Sequence, residues 1–269
     1  MFEVSACVWC LKGKASDSLG FLRSAGFDYV DVRPDCWDGI RDREHLDSFG
    51  VKVACAGITP ITMVEGLSLD SLATPDAGRA IPYFTGALRR AAALGARWAY
   101  MVTPGNRQAG ESRDYSRSMA RLAEESSKLG IKLCVEPHPG RALSSYSEVI
   151  RFLDMAAAPN LYALVDLGHI PLFGEDVVEV VRSLGDRIGY VHIDDNNGKS
   201  DSHFGLMEGK LPARSLYRFF DALAGGPYRG PVAIELSSVL PSPVSSLVSS
   251  REFIRHWAES RSHVDPVLR

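Results

Sequence analysis

Short apolar runs alternate with longer amphipathic stretches along the chain. The apolar runs are rich in β-branched and aromatic residues and predict strands, whereas the spacing of apolar positions in the longer stretches predicts helices. The strands are predicted at residues 4–10, 27–33, 51–58, 98–103, 131–135, 161–165, 188–193 and 231–236. The helices are predicted at residues 16–25, 41–49, 77–94, 115–129, 146–157, 176–184, 212–223 and 244–258.

The order of these elements predicts the fold class. Each strand is followed by a helix, which implies parallel strands joined by right-handed crossovers. Eight such units in 269 residues fit a closed (β/α)8 barrel, the TIM barrel of the α/β class, better than an open sheet. No domain boundary is evident in the sequence, so we expect residues 1–269 to form one TIM-barrel domain.

The loops predict which end of this barrel carries function. Turns from helix to strand are short and usually begin with glycine, which supplies the left-handed conformation that ends a helix. Loops from strand to helix are longer, as at residues 59–76 and 194–211, and as a group they carry Trp, His, Arg and Pro residues. Active sites of (β/α)8 barrels lie at the C-terminal ends of the strands, so the long loops mark the expected active-site face.

Composition narrows the class of protein. Hydrophobic residues make up 45% and charged residues 23% of the chain, as in ordinary globular proteins. The net charge is −3 and the basic residues are scattered, so we expect no binding to nucleic acid. No apolar run is long enough for a membrane span, and the N-terminus lacks the pattern of a signal peptide. Five cysteines, an odd number, are typical of reduced thiols in the cytoplasm.

Four consecutive predicted strands end on residue types that bind metals or transfer protons. Glu136, Asp166, His192 and Glu235 follow the apolar runs of strands five to eight. In a closed barrel these positions are neighbours around one rim. Three carboxylates so close would repel one another and raise each other's pKa values unless a cation lay between them. Oxygen-rich ligation with one imidazole favours Mn²⁺ first, with Mg²⁺, Co²⁺ or Zn²⁺ as alternatives.

The sequence around these four residues resembles a known family. The segments VEPHPG at residues 135–140, VDLGH at 165–169, VHIDD at 191–195 and IEL at 234–236 are similar to motifs of the sugar phosphate isomerase/epimerase family, the xylose-isomerase-like barrels. The resemblance implies that Glu136, Asp166, His192 and Glu235 bind one divalent metal. It also implies that the two glutamates form the catalytic acid/base pair, and that the barrels associate as homo-oligomers.

The chemistry of such a site leaves the reaction open. A metal bound by a hydroxyl and a carbonyl of the substrate acidifies the carbon between them. Removal and return of its proton by two glutamates gives epimerisation, and return to the neighbouring carbon gives isomerisation. We therefore predict an isomerase or epimerase for a sugar, keto-sugar or polyol. A lyase, of the inosose dehydratase or keto-glycoside-eliminating type, is the alternative, and a catalytically inactive sugar-binding protein is a third hypothesis.

Several further residues are predicted to contact the substrate. They lie on the loops of the expected active-site face, where side chains point towards a bound ligand. His169 follows Asp166 by one helical turn, and His138 follows Glu136 by two residues, so both are expected on the side of the metal. The predicted substrate contacts are His169, His138, His203, Lys199, Arg107, Trp9 and Trp37.

The resemblance is incomplete at two positions. The ketose 3-epimerases carry a glutamate where this chain has Ala142 and an arginine where it has Gly198. The motifs therefore favour the family without specifying a ketohexose as the substrate.

Overall fold

The computed structural model of the protein describes residues 2–59, 68–69 and 75–262. Eight parallel strands form a closed barrel in which sequence order is also spatial order, which confirms the predicted (β/α)8 fold. The strands are β1 (Val4–Cys7), β2 (Tyr29–Val32), β3 (Lys52–Gly57), β4 (Trp98–Val102), β5 (Lys132–Glu136), β6 (Leu161–Asp166), β7 (Ile188–Ile193) and β8 (Val232–Ile234).

The helices surround the barrel. Side-chain caps fix several of their starts: Ser112, Ser145 and Asp176 each accept a hydrogen bond from a backbone N–H of the first turn. The helices are α1 (Ala15–Ser24), α2 (Arg43–Phe49), α3 (Pro75–Ala93), α4 (Arg113–Lys128), α5 (Tyr146–Ala156), α6 (His169–Leu172), α7 (Val177–Leu184), α8 (Ala213–Gly225) and α9 (Pro243–Ser262).

The structure differs from the predicted elements mainly at the rim. The first strand was predicted at residues 4–10, but β1 ends at Cys7 and Val8–Cys10 forms a 3-10 turn, because β1 pairs with its neighbours only as far as Cys7. The short helix α6 was not predicted. Most of the loop predicted at residues 59–76 lies outside the described residues.

The core lies between the barrel and the helices. Helices bury apolar side chains against the barrel, as α5 does with Val149 and Phe152 and α8 does with Leu216 and Phe219. Burial of each such side chain contributes about 1.5–3 kcal/mol to folding. Packing on all sides holds the strands in register, so that their C-terminal ends meet at one rim.

No helix in the described part of the chain is both long and apolar enough to cross a membrane. The five cysteines are buried and unpaired.

Gly189 in β7 makes room for side chains from the two preceding strands. A Cβ at this position would lie 2.5 Å from Cys134 Sγ and 2.5 Å from Tyr162 Cβ. We expect Gly189→Ala to lower the free energy of unfolding by about 1–3 kcal/mol, measured by urea denaturation, because the strands cannot separate to admit a methyl group.

Gly86 provides the matched control for this substitution. It lies within α3, and a Cβ there would meet no atom within 4 Å. Gly86→Ala should raise the free energy of unfolding by about 0.5–1 kcal/mol, because alanine loses less backbone entropy in a helix. Equal stability of the two variants would contradict this account of barrel packing.

Candidate metal centre

The four strand-end residues predicted as metal ligands converge at the C-terminal rim. Glu136 and Asp166 end β5 and β6, His192 lies in β7, and Glu235 follows β8. One ligand atom from each lies within 4.8 Å of those from the other three. His192 Nδ1 is 2.7 Å from Glu235 Oε2 and 3.7 Å from Glu136 Oε1. We call this group the rim cluster.

Backbone pairing places the rim cluster. Asp166 and His192 are direct partners in the register of β6 and β7, which brings their side chains to the same level. Tyr146 reinforces the end of β6, since its hydroxyl accepts a hydrogen bond from Asp166 N at 2.7 Å. The backbone N–H of His169 donates to Asp166 Oδ1 at 3.1 Å and leaves Oδ2 directed at the cluster.

The rim cluster fits a divalent cation. Asp166 Oδ2 and His192 Nδ1 are buried and have no hydrogen-bond partner among the described residues. Asp166 and His192 are fully buried, and Glu136 is 4% exposed. Buried charge of this kind is costly unless it is paired or binds a metal. Three carboxylates and one imidazole form a donor set suited to Mn²⁺, Mg²⁺, Co²⁺ or Zn²⁺.

The two glutamates of the rim cluster differ electrostatically. Burial raises the pKa of Glu136, and the Glu235 carboxylate reinforces this while the His192 imidazole opposes it. Burial would also raise the pKa of Glu235, but His192 and the Trp9 N–H outweigh it and hold that pKa below its usual range. Carboxyl pairs whose environments separate their pKa values are typical of acid/base sites.

Three predicted histidines surround one carboxylate beside the rim cluster. The Nε2 atoms of His138, His169 and His203 lie 3.4, 3.2 and 3.1 Å from Asp201 Oδ2. His169 Nε2 is also 3.8 Å from Asp166 Oδ2, which connects the two groups. We call these four residues the Asp201 cluster.

The outer nitrogens of two of these imidazoles also have an acceptor. His138 Nδ1 is 3.1 Å from the Pro139 carbonyl oxygen, and His169 Nδ1 is 3.1 Å from that of Pro137. His203 Nδ1 lies 2.6 Å from Asp194 Oδ2. The acceptors at Nδ1 orient the His138 and His169 rings so that Nε2 faces the cluster, an arrangement that can ligate a cation or contact substrate oxygens.

Charge concentrates in the Asp201 cluster. Burial would raise the pKa of Asp201, but the imidazoles of His138, His169 and His203 outweigh it and lower that pKa. Burial would lower the pKa of His169, but Asp166 and Asp201 raise it to about 10. The carboxylate and the imidazoles thus stabilise each other's charged forms.

The two predicted tryptophans lie in different surroundings. Trp9 is on the turn after β1, where its Nε1 donates to Glu235 Oε1 at 2.9 Å. The Arg33 guanidinium lies 4.6 Å from the centre of the Trp9 ring. Trp37 lies on the 3-10 turn Pro34–Gly39 and packs half-buried against the core. Trp9 thus contacts a rim-cluster residue directly.

Arg107 and Lys199 are both exposed on loops of this face. Lys199 N donates to Asn197 Oδ1, and no described contact joins either cation to the rim or Asp201 clusters. Their predicted contact with substrate stays a prediction.

Several residues at the site were not predicted. Asp31 of β2 lies inside the barrel, 3.4 Å from His192, and its sequence signal was a carboxylate within an apolar strand. Asp194 and Asp201 lie on the loop at 194–211, and their partners depend on how that loop folds. Arg33 adds a cation near Trp9, and nothing in its sequence neighbourhood distinguishes it from other surface arginines.

Comparison with known proteins finds relatives that share this barrel. A family model described as a xylose isomerase-like TIM barrel matches residues 19–257. Fructoselysine 3-epimerase of Escherichia coli O157:H7 is 30% identical over 124 residues, 45% of this chain and 44% of that protein. Inosose dehydratase of Clostridium perfringens is 27% identical over 85 residues, 32% of this chain and 29% of that protein. The chain thus spans less than half the length of these curated relatives.

A solved structure extends the comparison to the whole chain. L-Ribulose 3-epimerase superposes with a TM-score of 0.81 over 100% of both chains, at 17% sequence identity. At that identity the likeness shows the shared barrel.

Gly168, between Asp166 and His169, permits the close approach of Asp194. A Cβ at Gly168 would lie 1.9 Å from Asp194 Oδ1, although the backbone there is helical and would accept alanine. We expect Gly168→Ala to destabilise the protein and to cost less in an Asp194→Ala background. Chemical denaturation of the four proteins should give a coupling energy of about 0.5–3 kcal/mol. Additive costs would show that the clash is not with Asp194.

Proposed function

Because the chain belongs to the xylose isomerase-like TIM barrel family, we propose that it is a metal-dependent epimerase or isomerase of a keto-sugar or related polyol. The observation that carries the proposal is the pair Glu136 and Glu235, which flank His192 in a cluster that fits a cation. The relatives named 3-epimerases support this class of reaction. Motif departures at Ala142 and Gly198 leave the sugar itself unspecified.

The proposed ligands are Glu136, Asp166, His192 and Glu235, with Mn²⁺ first among the candidate metals. When bound there, the cation would acidify the carbon between a hydroxyl and a carbonyl of the substrate. Glu235 is the proposed base that accepts the proton. The Trp9 N–H donates to Glu235 Oε1, and Oε2 lies on the side of the cluster, 2.7 Å from His192 Nδ1.

Glu136 is the proposed partner acid. Its Oε1 lies 3.7 Å from His192 Nδ1, the atom that Glu235 Oε2 also approaches, so both carboxyl groups border the same position, and Glu136 is proposed to return the proton to the opposite face of the carbon. General acid–base catalysis of this kind contributes about 10²–10⁴-fold to the rate. The Asp201 cluster lies on the same face and supplies the proposed substrate contacts of His138, His169 and His203.

Other predictions remain proposals. Trp9 and Trp37 would form apolar walls for the substrate, with Arg107 and Lys199 at its edge. The unpaired cysteines support a reducing compartment such as the cytoplasm. A single domain and a homo-oligomer stay expectations from the sequence.

A lyase remains the second candidate function. The match to inosose dehydratase favours it, and the same proton abstraction leads to elimination when the β-substituent of the substrate leaves. The fate of the abstracted proton separates the two reactions.

Solvent deuterium tests the proposed reaction. We expect the protein reconstituted with Mn²⁺ in D₂O to return one member of a panel of ribulose, allulose, fructoselysine and inosose with deuterium at a carbinol carbon. Mass spectrometry and NMR of the recovered sugar measure the label. An unsaturated product without label return would identify a lyase. Binding of a panel sugar with neither label nor product would favour the inactive sugar-binding protein.

The glutamate pair predicts a matched set of variants. Glu136→Gln and Glu235→Gln should each lower deuterium exchange into substrate by about 10²–10⁴-fold, because each removes an acid/base group. Glu252→Gln, on the exposed face of α9, is the control and should exchange at the wild-type rate. Wild-type exchange in both site variants would exclude this pair as the acid and base.

A further inference from the structure

Asp31 is a buried carboxylate that the proposed reaction does not use. It lies in β2 with its side chain inside the barrel, beneath the rim cluster, and is fully buried. A carboxylate in such a place is costly unless its oxygens are paired. Its contacts therefore indicate what it does.

The two oxygens of Asp31 have different partners. Oδ1 accepts hydrogen bonds from Ser5 Oγ at 2.6 Å and from the Tyr190 hydroxyl at 2.7 Å. Oδ2 has no hydrogen-bond partner within the described ranges, and it faces His192 Nε2 at 3.4 Å. His192 Nε2 likewise has no hydrogen-bond partner there. Two groups that each lack a partner thus face one another inside the barrel.

The His192 ring is held between this contact and the rim cluster. Its other nitrogen, Nδ1, lies 2.7 Å from Glu235 Oε2. Tyr100 and Tyr190 meet the ring edge to face, with centroids 5.0 and 5.7 Å away. These rings limit rotation of the imidazole, so Nδ1 faces the rim and Nε2 faces Asp31.

We infer that Asp31 is a positioning residue for the metal site: its Oδ2 accepts the Nε2–H of His192 and so presents the Nδ1 lone pair to the cation. Ser5 and Tyr190 hold Oδ1 and thereby aim Oδ2. A histidine ligand commonly donates its second N–H to a carboxylate, which fixes the tautomer and increases the basicity of the ligating nitrogen. The inference rests on the proposed metal ligands. It assigns to Asp31 of β2 the role of orienting one of them, His192.

Mn²⁺ binding to the metal-free protein tests the role of Asp31. Free Mn²⁺ is followed by electron paramagnetic resonance in wild type, Asp31→Asn and Tyr190→Phe. We expect Asp31→Asn to weaken Mn²⁺ binding by about 10–100-fold, because its amide carries no charge to polarise the imidazole. Tyr190→Phe removes one donor to Oδ1 but keeps the carboxylate facing His192, so its Kd should change less.

The outcomes separate this inference from the proposed function. Wild-type protein that binds no Mn²⁺ would overturn the metal ligands themselves. Equal Kd values for wild type and Asp31→Asn, or equal losses in Asp31→Asn and Tyr190→Phe, would overturn only the positioning role.

A measurement on wild-type protein decides the question if Asp31→Asn does not fold. In the Zn²⁺-loaded protein with ¹⁵N-labelled histidine, we expect His192 to carry its proton on Nε2 and the metal on Nδ1. Metal on Nε2, or a proton on Nδ1, would overturn the inference.

Discussion

The burial of three carboxylates around one imidazole at the end of the barrel is the constraint on which the rest of the site depends. Glu136, Asp166 and Glu235 are brought together by strand register and removed from water by the surrounding loops. Their mutual repulsion in that setting calls for positive charge, and His192 alone supplies too little of it. A divalent cation, as proposed, would supply that charge.

The sequence carries enough information to predict this cluster. An apolar run that ends on Glu136, Asp166 or His192 indicates a strand, and barrel closure then forces those ends together. Asp31 was not predicted: its sequence signal, a carboxylate within an apolar strand, does not by itself identify the partner that the side chain meets inside the barrel. The contacts of Asp194 and Asp201 depend on the path of a long loop, which no local periodicity describes. Strand boundaries at the rim also escaped prediction, since they depend on pairing with neighbouring strands.

The carboxylates and imidazoles of the site fall into two groups, one positioned by the strands and one by the loops. The barrel interior holds Asp31 against His192, and the rim holds the two glutamates, so both depend on strand register. The Asp201 cluster depends instead on loops and on the fit of Asp194 against Gly168. Within one barrel family, residues on the loops determine differences in substrate, whereas residues on the strands provide the shared chemistry. The residues on the strands therefore bear on the proposed class of reaction, whereas the choice of sugar depends on the loops.

The metal content of the purified and Mn²⁺-reconstituted protein tests the central claim most directly. Elemental analysis should find about one equivalent more of divalent metal per chain in wild type than in a His192→Ala variant, because that change removes the single nitrogen ligand of the rim cluster. His256→Ala, an exposed position on α9, should retain the wild-type content. Equal metal in wild type and His192→Ala, or none in wild type after reconstitution, would contradict the account.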